Sequence, residues 1–218
     1  MQIKKVILNN YVELRGSVSE KCSFSHEIYG EGFHIFKLEV SRLSENTDII
    51  PVTVSERLID INMIKEGTRL NISGQLRSYN NFSGEKNRLM LSVFAKEVSF
   101  ITGDDQADFD QNIIFLNGFI CKEPKYRTTP FGREISDILL AVNRAYNKSD
   151  YIPCIAWGRN ARFLQNSRIG TNIKIWGRVQ SRNYQKREED SIIEKTAYEV
   201  SVSKVEYCEG NDGETVEN

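Results

Sequence analysis

An internal repeat constrains this chain more than any other feature. Laid over residues 112–156 at a constant offset of 102, residues 10–54 match at spaced positions. Asn10, Gly16, Gly30, Leu38, Val40, Arg42, Asp48, Ile50 and Pro51 meet Asn112, Gly118, Gly132, Leu140, Val142, Arg144, Asp150, Ile152 and Pro153. One added residue moves the offset to 103, and Gly67-Thr68, Gly74 and Asn80 then meet Gly170-Thr171, Gly177 and Asn183. Such a period is too long for a solenoid and suits two small domains. A chain of 218 residues with 39% apolar content supplies two modest cores. The expected division is a first domain over 1–102, an acidic linker over 103–111, a second domain over 112–208 and a short acidic tail over 209–218.

The net charge of −1 hides unlike parts. Residues 1–111 hold 13 basic and 16 acidic side chains, a balance of −3. Residues 112–187 hold 14 basic and 4 acidic, a balance of +10, and residues 188–218 hold 2 basic and 10 acidic, a balance of −8. A local positive excess of that size attracts phosphates, whereas a whole-chain charge conceals it. No stretch approaches the roughly 18 consecutive apolar residues of a membrane span, and Met1-Gln2-Ile3-Lys4-Lys5 leads into no signal-like apolar run. Cys22, Cys121, Cys154 and Cys208 are scattered without CxxC spacing, so they read as reduced thiols rather than disulfides or zinc ligands. A cytoplasmic location is the corresponding expectation.

The patterning is all-β. In the second repeat, strands are expected over Asn112–Cys121, Ile135–Tyr146, Tyr151–Trp157, Thr171–Ser181 and Lys195–Tyr207. Along the second of these, Ile138, Leu140 and Val142 alternate against Leu139, Ala141 and Asn143, the period of a half-buried strand. Pro153 removes a ladder donor, which points to an edge or bulge. Arg159–Asn166 reads as a short helix with Phe163 and Leu164 on its buried side. Thr171–Ser181 places Ile173, Ile175 and Val179 on one face and Lys174, Trp176, Arg178 and Gln180 on the other. Three strands, a short helix and two further strands is the order of the five-stranded OB barrel. The first repeat runs the same way, with Val52–Val54 as third strand, Glu56–Ile64 as helix and Arg69–Arg77 as fourth strand. Two tandem OB folds are the expected architecture.

Asn112-Ile-Ile-Phe-Leu-Asn-Gly118, Glu123-Pro124, Tyr151-Ile-Pro-Cys-Ile-Ala-Trp-Gly158 and Gly170-Thr-Asn-Ile-Lys-Ile-Trp-Gly-Arg-Val-Gln-Ser-Arg-Asn-Tyr184 resemble the OB domain of bacterial single-stranded DNA-binding proteins. The resemblance covers residues 112–207 well and residues 10–100 weakly, mostly through the repeat. It implies four aromatic positions that stack on unpaired bases, and these fall on Tyr146, Tyr151, Trp157 and Tyr184. It also implies association through the strand face that carries Trp176, with Asn172, Lys174 and Gln180 as polar partners. Two such chains would then form a homodimer presenting four barrels.

The chemistry points the same way on its own terms. A single strand exposes base faces that a duplex hides, and each stacked base is worth roughly 1–3 kcal/mol with little sequence preference. Cations interleave with the rings to follow the phosphates: Arg144, Lys148, Arg159, Arg162, Arg178, Arg182, Lys186 and Arg187. Single-stranded DNA is therefore the expected partner. RNA is a close competitor because stacking platforms accept either strand. A protein–protein adaptor that has lost nucleic-acid binding is the rival reading, since fold does not fix function.

The first repeat departs from this pattern, with Ser44, Ile49, Ser55 and Asn81 at the four ring positions. Tyr79 and Phe82 offer partial stacking near Arg77, Lys86 and Arg88, but the segment lacks the positive excess. A structural role in association is expected for it. The tail from Glu209 to Asn218 lacks the hydrophobic-Pro-Phe ending implied by the resemblance, which leaves recruitment of replication or repair enzymes open. No Gly-rich phosphate loop, activated nucleophile or paired-carboxylate spacing stands out, so no enzyme, cofactor or metal is expected. His26 and His34 read as ordinary strand or loop residues, and Glu188-Glu189-Asp190 as a solvated hairpin tip.

Overall fold

A computed structural model of the chain describes residues 9–81, 88–102, 109–188 and 191–208, with the side chains of residues 81, 88, 186–188 and 191–193 outside the description. Strands β1 (Asn10–Ile28), β2 (Glu31–Ser41), β3 (Thr47–Ser55), β4 (Arg69–Asn81) and β5 (Arg88–Phe100) form the first unit. The second contains β6 (Gln111–Ile120), β7 (Lys125–Thr128), β8 (Glu134–Asn143), β9 (Ser149–Trp157), β10 (Asn172–Glu188) and β11 (Ser191–Tyr207). Its helix α1 (Arg159–Leu164) lies between β9 and β10. The first unit runs β2-β3-β5-β4-β1 and closes through β1–β2 pairing; the second runs β6-β10-β11-β9-β8 and closes through β6–β8. Each is a five-stranded ring in OB order, and β7 is an extra strand on the outer edge of β8.

The repeated residues mark the points where these rings close. A Cβ on Gly118 would meet the Ala141 carbonyl oxygen at 2.5 Å, where β6 turns onto β8. Gly16 faces the Glu39 carbonyl in the same way on β1. Gly74 and Gly177 sit at matching register shifts on β4 and β10, against the backbones of Phe94 and Ser201. Pro51 and Pro153 pair with β2 and β8 on one side. Parallel pairing to β5 and β11 on the other side begins one residue later, at Val52 and Cys154. A missing amide is tolerated there.

The two rings are not separate beads. β1 pairs antiparallel with β6 from Asn10↔Leu116 to Arg15↔Gln111, so one continuous sheet of 11 strands runs through both. Val12 pairs with Ile114, its own counterpart at the repeat offset, which places a local two-fold axis at that pair. Asn10 and Asn112 act identically beside it. The Asn10 amide donates to the Leu76 carbonyl at 2.8 Å and accepts from the Leu76 amide at 2.9 Å. Asn112 does the same with Val179 at 2.7 and 2.9 Å. Apolar alternation fills both interiors, with Leu14, Leu38, Ile50 and Ile72 in one and Leu116, Leu140, Ile152 and Ile173 in the other, all fully buried.

Several expectations need correction. The helix expected over Glu56–Ile64 is only a 3-10 turn over Ile61–Met63. Asp60 accepts from the Asn62 amide at 3.0 Å, and the β-branched Ile59 and Ile61 favour helix poorly, so local side-chain bonding wins. In α1, Ala161 and Leu164 are buried, but Phe163 is 44% exposed and packs on Tyr207 with ring centroids 4.5 Å apart. The strand expected to reach Tyr146 ends at Asn143 and enters a turn in which Tyr146 has φ 61°. Gln180, expected outward, is buried and donates to Glu199 Oε1 at 2.7 Å, because β3 of the first unit packs beside this part of β10.

Candidate nucleic-acid interface

β9 is the organising strand. Ile152, Cys154 and Ala156 face the core, which leaves Tyr151, Pro153 and Trp157 on the opposite face. Tyr151 and Trp157 are 46% and 39% exposed, and six residues of strand hold them roughly 20 Å apart. Tyr184 on β10 is 37% exposed and lines a hollow together with Pro153, while Tyr146, on the turn before β9, is 94% exposed. Strand aromatics are usually packed inward, and these four are not.

Cations surround the rings. Lys148 and Arg159 are exposed. Arg162 is exposed and pairs with Glu134 at 3.0 Å. Arg182 is exposed and lies 3.5 Å from Glu199. Lys186 and Arg187 have side chains outside the described residues. A groove of ≈570 Å³ beside Trp157 is lined by Arg133, Arg178 and Arg182 of the second ring and by Arg42, Asn46 and Thr47 of the first. Arg133 and Arg42 are groove residues that charge counting alone did not single out.

Arg144 and Arg178 have a further role, which the repeat signals for Arg144 alone, the counterpart of Arg42. Asp48 and Asp150 are fully buried at the junction between the rings. Asp48 accepts from the Ser181 amide at 2.9 Å, and its own-ring partner Arg42 donates at 2.8 and 2.6 Å. Arg178 crosses over, with Nε 3.9 Å from the same carboxylate. The opposite latch repeats the design. Asp150 accepts from the Ser78 amide at 2.8 Å and pairs with Arg144 at 3.3 Å and Arg77 at 3.0 Å. Hydroxyls complete both: Ser181 accepts from the Ile49 amide at 3.0 Å, and Ser78 accepts from the Tyr151 amide at 2.7 Å. Buried carboxylates persist only when paired and hydrogen-bonded in this way. The hydrogen bond to Asp48 pushes the Arg42 pKa up, whereas burial, and then the neighbouring Arg42 charge, pull that of Arg178 down against the opposing pull of Asp48.

The first ring has a hollow in the corresponding place, of ≈590 Å³, but its chemistry differs. Arg77 and Arg144 meet Ile28, Tyr79 and Phe94 there, with Ser25 and His26 on the rim. Tyr79 is its exposed ring; Phe82 and Lys86 lie outside the described residues, as do the side chains of Asn81 and Arg88. His26 stacks on Phe33 at 5.0 Å and His34 meets Phe24 edge-on at 5.6 Å, both ordinary strand contacts.

Trp176 lies on the outer face of the shared sheet. It packs against Phe115 at 5.2 Å and beneath the Lys204 ammonium, 4.6 Å from the ring centre. Asn172 is engaged within its own ring, donating to Asn117 Oδ1 at 2.9 Å and to the Gly118 carbonyl at 2.8 Å, while Lys174 is half-buried. The four cysteines are unpaired, and burial, followed by Glu199 and Cys121, pushes the Cys154 thiol far up. Among the described residues, no cluster of His, Cys, Asp and Glu is arranged to hold a metal ion, and no helix is long and apolar enough to cross a membrane.

These features define a tandem OB-fold protein with a ring-bearing basic groove on its second barrel. Residues 111–208 match the single-strand binding protein family. Over 109 residues it is 30% identical to single-stranded DNA-binding protein A of Bacillus subtilis (strain 168), a match covering 47% of this chain and 62% of that protein. Over 84 residues it is 37% identical to single-stranded DNA-binding protein 1 of Staphylococcus aureus (strain COL), covering 35% of this chain and 50% of that one. The chain thus spans about half to three-fifths of the length of these relatives. The fold superposes on the crystal structure of the wild-type single-stranded DNA binding protein from Thermus aquaticus with a TM-score of 0.74 at 17% identity, over 94% of this chain and 95% of that one. That likeness spans both barrels.

Proposed function

We propose that this chain binds single-stranded DNA without strong sequence preference and shields it during replication, repair, recombination or mobile-element transfer. The observation that carries the reading is the exposure of Tyr146, Tyr151, Trp157 and Tyr184 around β9 and β10, with arginines lining the groove beside Trp157. Bases stack on the rings, and phosphates meet Lys148, Arg159, Arg162, Arg178 and Arg182, with Lys186 and Arg187 further along the hairpin. Arg144 acts at one remove, by holding the junction beside Tyr151. The names of the two bacterial relatives support the same partner. We assign the binding domain to residues 112–208 and the supporting domain to residues 1–102, joined through 103–111. Two copies are proposed to pair through the Trp176 face, giving four barrels.

Fluorescence polarisation of a labelled oligo-dT, run against a duplex of equal length over a salt series, tests this. The single strand should bind far more tightly, and its log–log salt slope should be about −0.7 per neutralised phosphate. Equal affinity for the duplex, or no binding, rejects the proposal. An oligo-U arm separates DNA from RNA as the preferred strand.

A further inference from the structure

The groove beside Trp157 belongs to both barrels. Its far wall is the segment Arg42–Thr47, which leaves β2 and enters β3 of the first ring. That segment is held there by the Asp48 latch, which ties β3 to Ser181 and Arg178 of β10 through the bonds given above. The Arg42 amide donates to the Asn46 carbonyl at 2.9 Å, which closes the turn and presents Asn46 to solvent. Four guanidiniums line the groove, those of Arg42, Arg133, Arg178 and Arg182. Among the described residues, only Asp48 and Glu199 are paired against them there, which leaves a positive balance of two among these groups.

We propose that a single strand stacked on Trp157 passes directly onto the first barrel, where the Arg42–Thr47 segment contacts its sugar–phosphate backbone. The inference rests on the single-strand reading above and adds a residue set outside the ring-bearing domain. The first barrel then contributes to binding through one turn, not through a groove of its own. Asn46 and Thr47 supply polar contacts, and Arg42 supplies charge while it also holds Asp48. This arrangement follows from the position of the latch. The same bonds that fix the barrels together bring the turn to the mouth of the second groove.

Asn46 is the position to test, because its side chain is exposed and takes no part in the Asp48 latch. In the intact chain, Asn46→Lys and Asn46→Asp are compared with Asn62→Lys and Asn62→Asp, which make the same charge changes at an exposed position outside the groove. With labelled oligo-dT, Asn46→Lys should tighten binding severalfold and steepen the log–log salt slope by about 0.7, while Asn46→Asp should weaken binding and leave the slope no steeper. The Asn62 pair should shift affinity much less. If the Asn46 and Asn62 pairs behave alike, the composite groove is rejected. Trp157→Ala in the same assay separates this from failure of the underlying reading. A Trp157→Ala protein with unchanged affinity overturns the single-strand reading itself, whereas weakened binding alongside a neutral Asn46 pair removes only the first barrel's contribution.

Discussion

The two barrels share a skeleton and differ in what their hollows offer. Around the second, Tyr151, Trp157 and Tyr184 are exposed; Trp157 shares a groove with Arg133, Arg178 and Arg182, and Tyr184 lines a separate hollow. Around the first, Ile49, Ser55 and Asn81 occupy the matching positions of the sequence, and the hollow is lined by Ile28, Tyr79 and Phe94 with two arginines. Those two arginines, Arg77 and Arg144, both answer to one buried carboxylate, Asp150. Repeated residues therefore divide into two groups. Asn10/Asn112, Gly16/Gly118 and Asp48/Asp150 preserve closure and the junction, while the positions facing solvent have diverged. In the proposed division of work, the matched residues hold the assembly and the unlike surfaces set what each barrel binds.

The largest effects are expected at the junction, where the barrels should behave alike. Asp48→Asn and Asp150→Asn each leave arginines and a backbone amide without their buried anion, at a cost of roughly 3–5 kcal/mol. Urea denaturation followed by circular dichroism should show similar losses for both. A large loss at one and none at the other breaks the pseudo-symmetry. Next come the rings, where the barrels should differ. Trp157→Ala and Tyr151→Ala should weaken oligo-dT binding by roughly 1–3 kcal/mol each with little change in salt slope. Tyr79→Ala in the first hollow should do much less, and an equal loss there would make the first barrel a stacking site.

Charge comes third. Arg182→Ala should flatten the salt slope by about 0.7 if its guanidinium exchanges Glu199 for a phosphate; an unaltered slope removes it from the phosphate path. The smallest effect is expected at Phe163→Ala. Its ring is 44% exposed and rests on Tyr207, so a stability loss of about 1 kcal/mol and unchanged DNA affinity should follow.

Much of this was legible in the sequence, for reasons that differ by element. Strand alternation around Leu140 and Ile173 places the cores. Pro153 signals an edge or bulge in the sequence, yet it lies on an inner strand, one residue before the parallel pairing with β11 begins. Tyr146, Tyr151 and Tyr184 were legible because polar residues surround them at the expected strand ends, although β10 runs on past Tyr184 to Glu188; Trp157, beside Ala156 and Gly158, carried no such signal. Arg144 and Arg178 were less legible. Counting charge assigns them to phosphates, whereas Arg144 pairs with Asp150 of its own ring and Arg178 reaches Asp48 across the junction, a long-range pairing that local pattern does not encode. Arg42 and Asp48 carried the missing signal, since both recur at the repeat offset. The missing helix over Glu56–Ile64 reflects the opposite limit, where a capping aspartate overrides an apolar periodicity. The antiparallel β1–β6 pairing that merges the rings was not legible from either repeat alone, although the offset relating Val12 to Ile114 is its signature.

The division between a base-stacking second barrel and a supporting first one is tested most directly by the fluorescence of Trp157. In Trp176→Phe protein, Trp157 is the sole tryptophan and reports on stacking in the groove. Titration with oligo-dT should quench it in step with binding measured by polarisation, and salt should reverse both together. Full binding with Trp157 emission unchanged would contradict the assignment and move the bases to another face of the molecule.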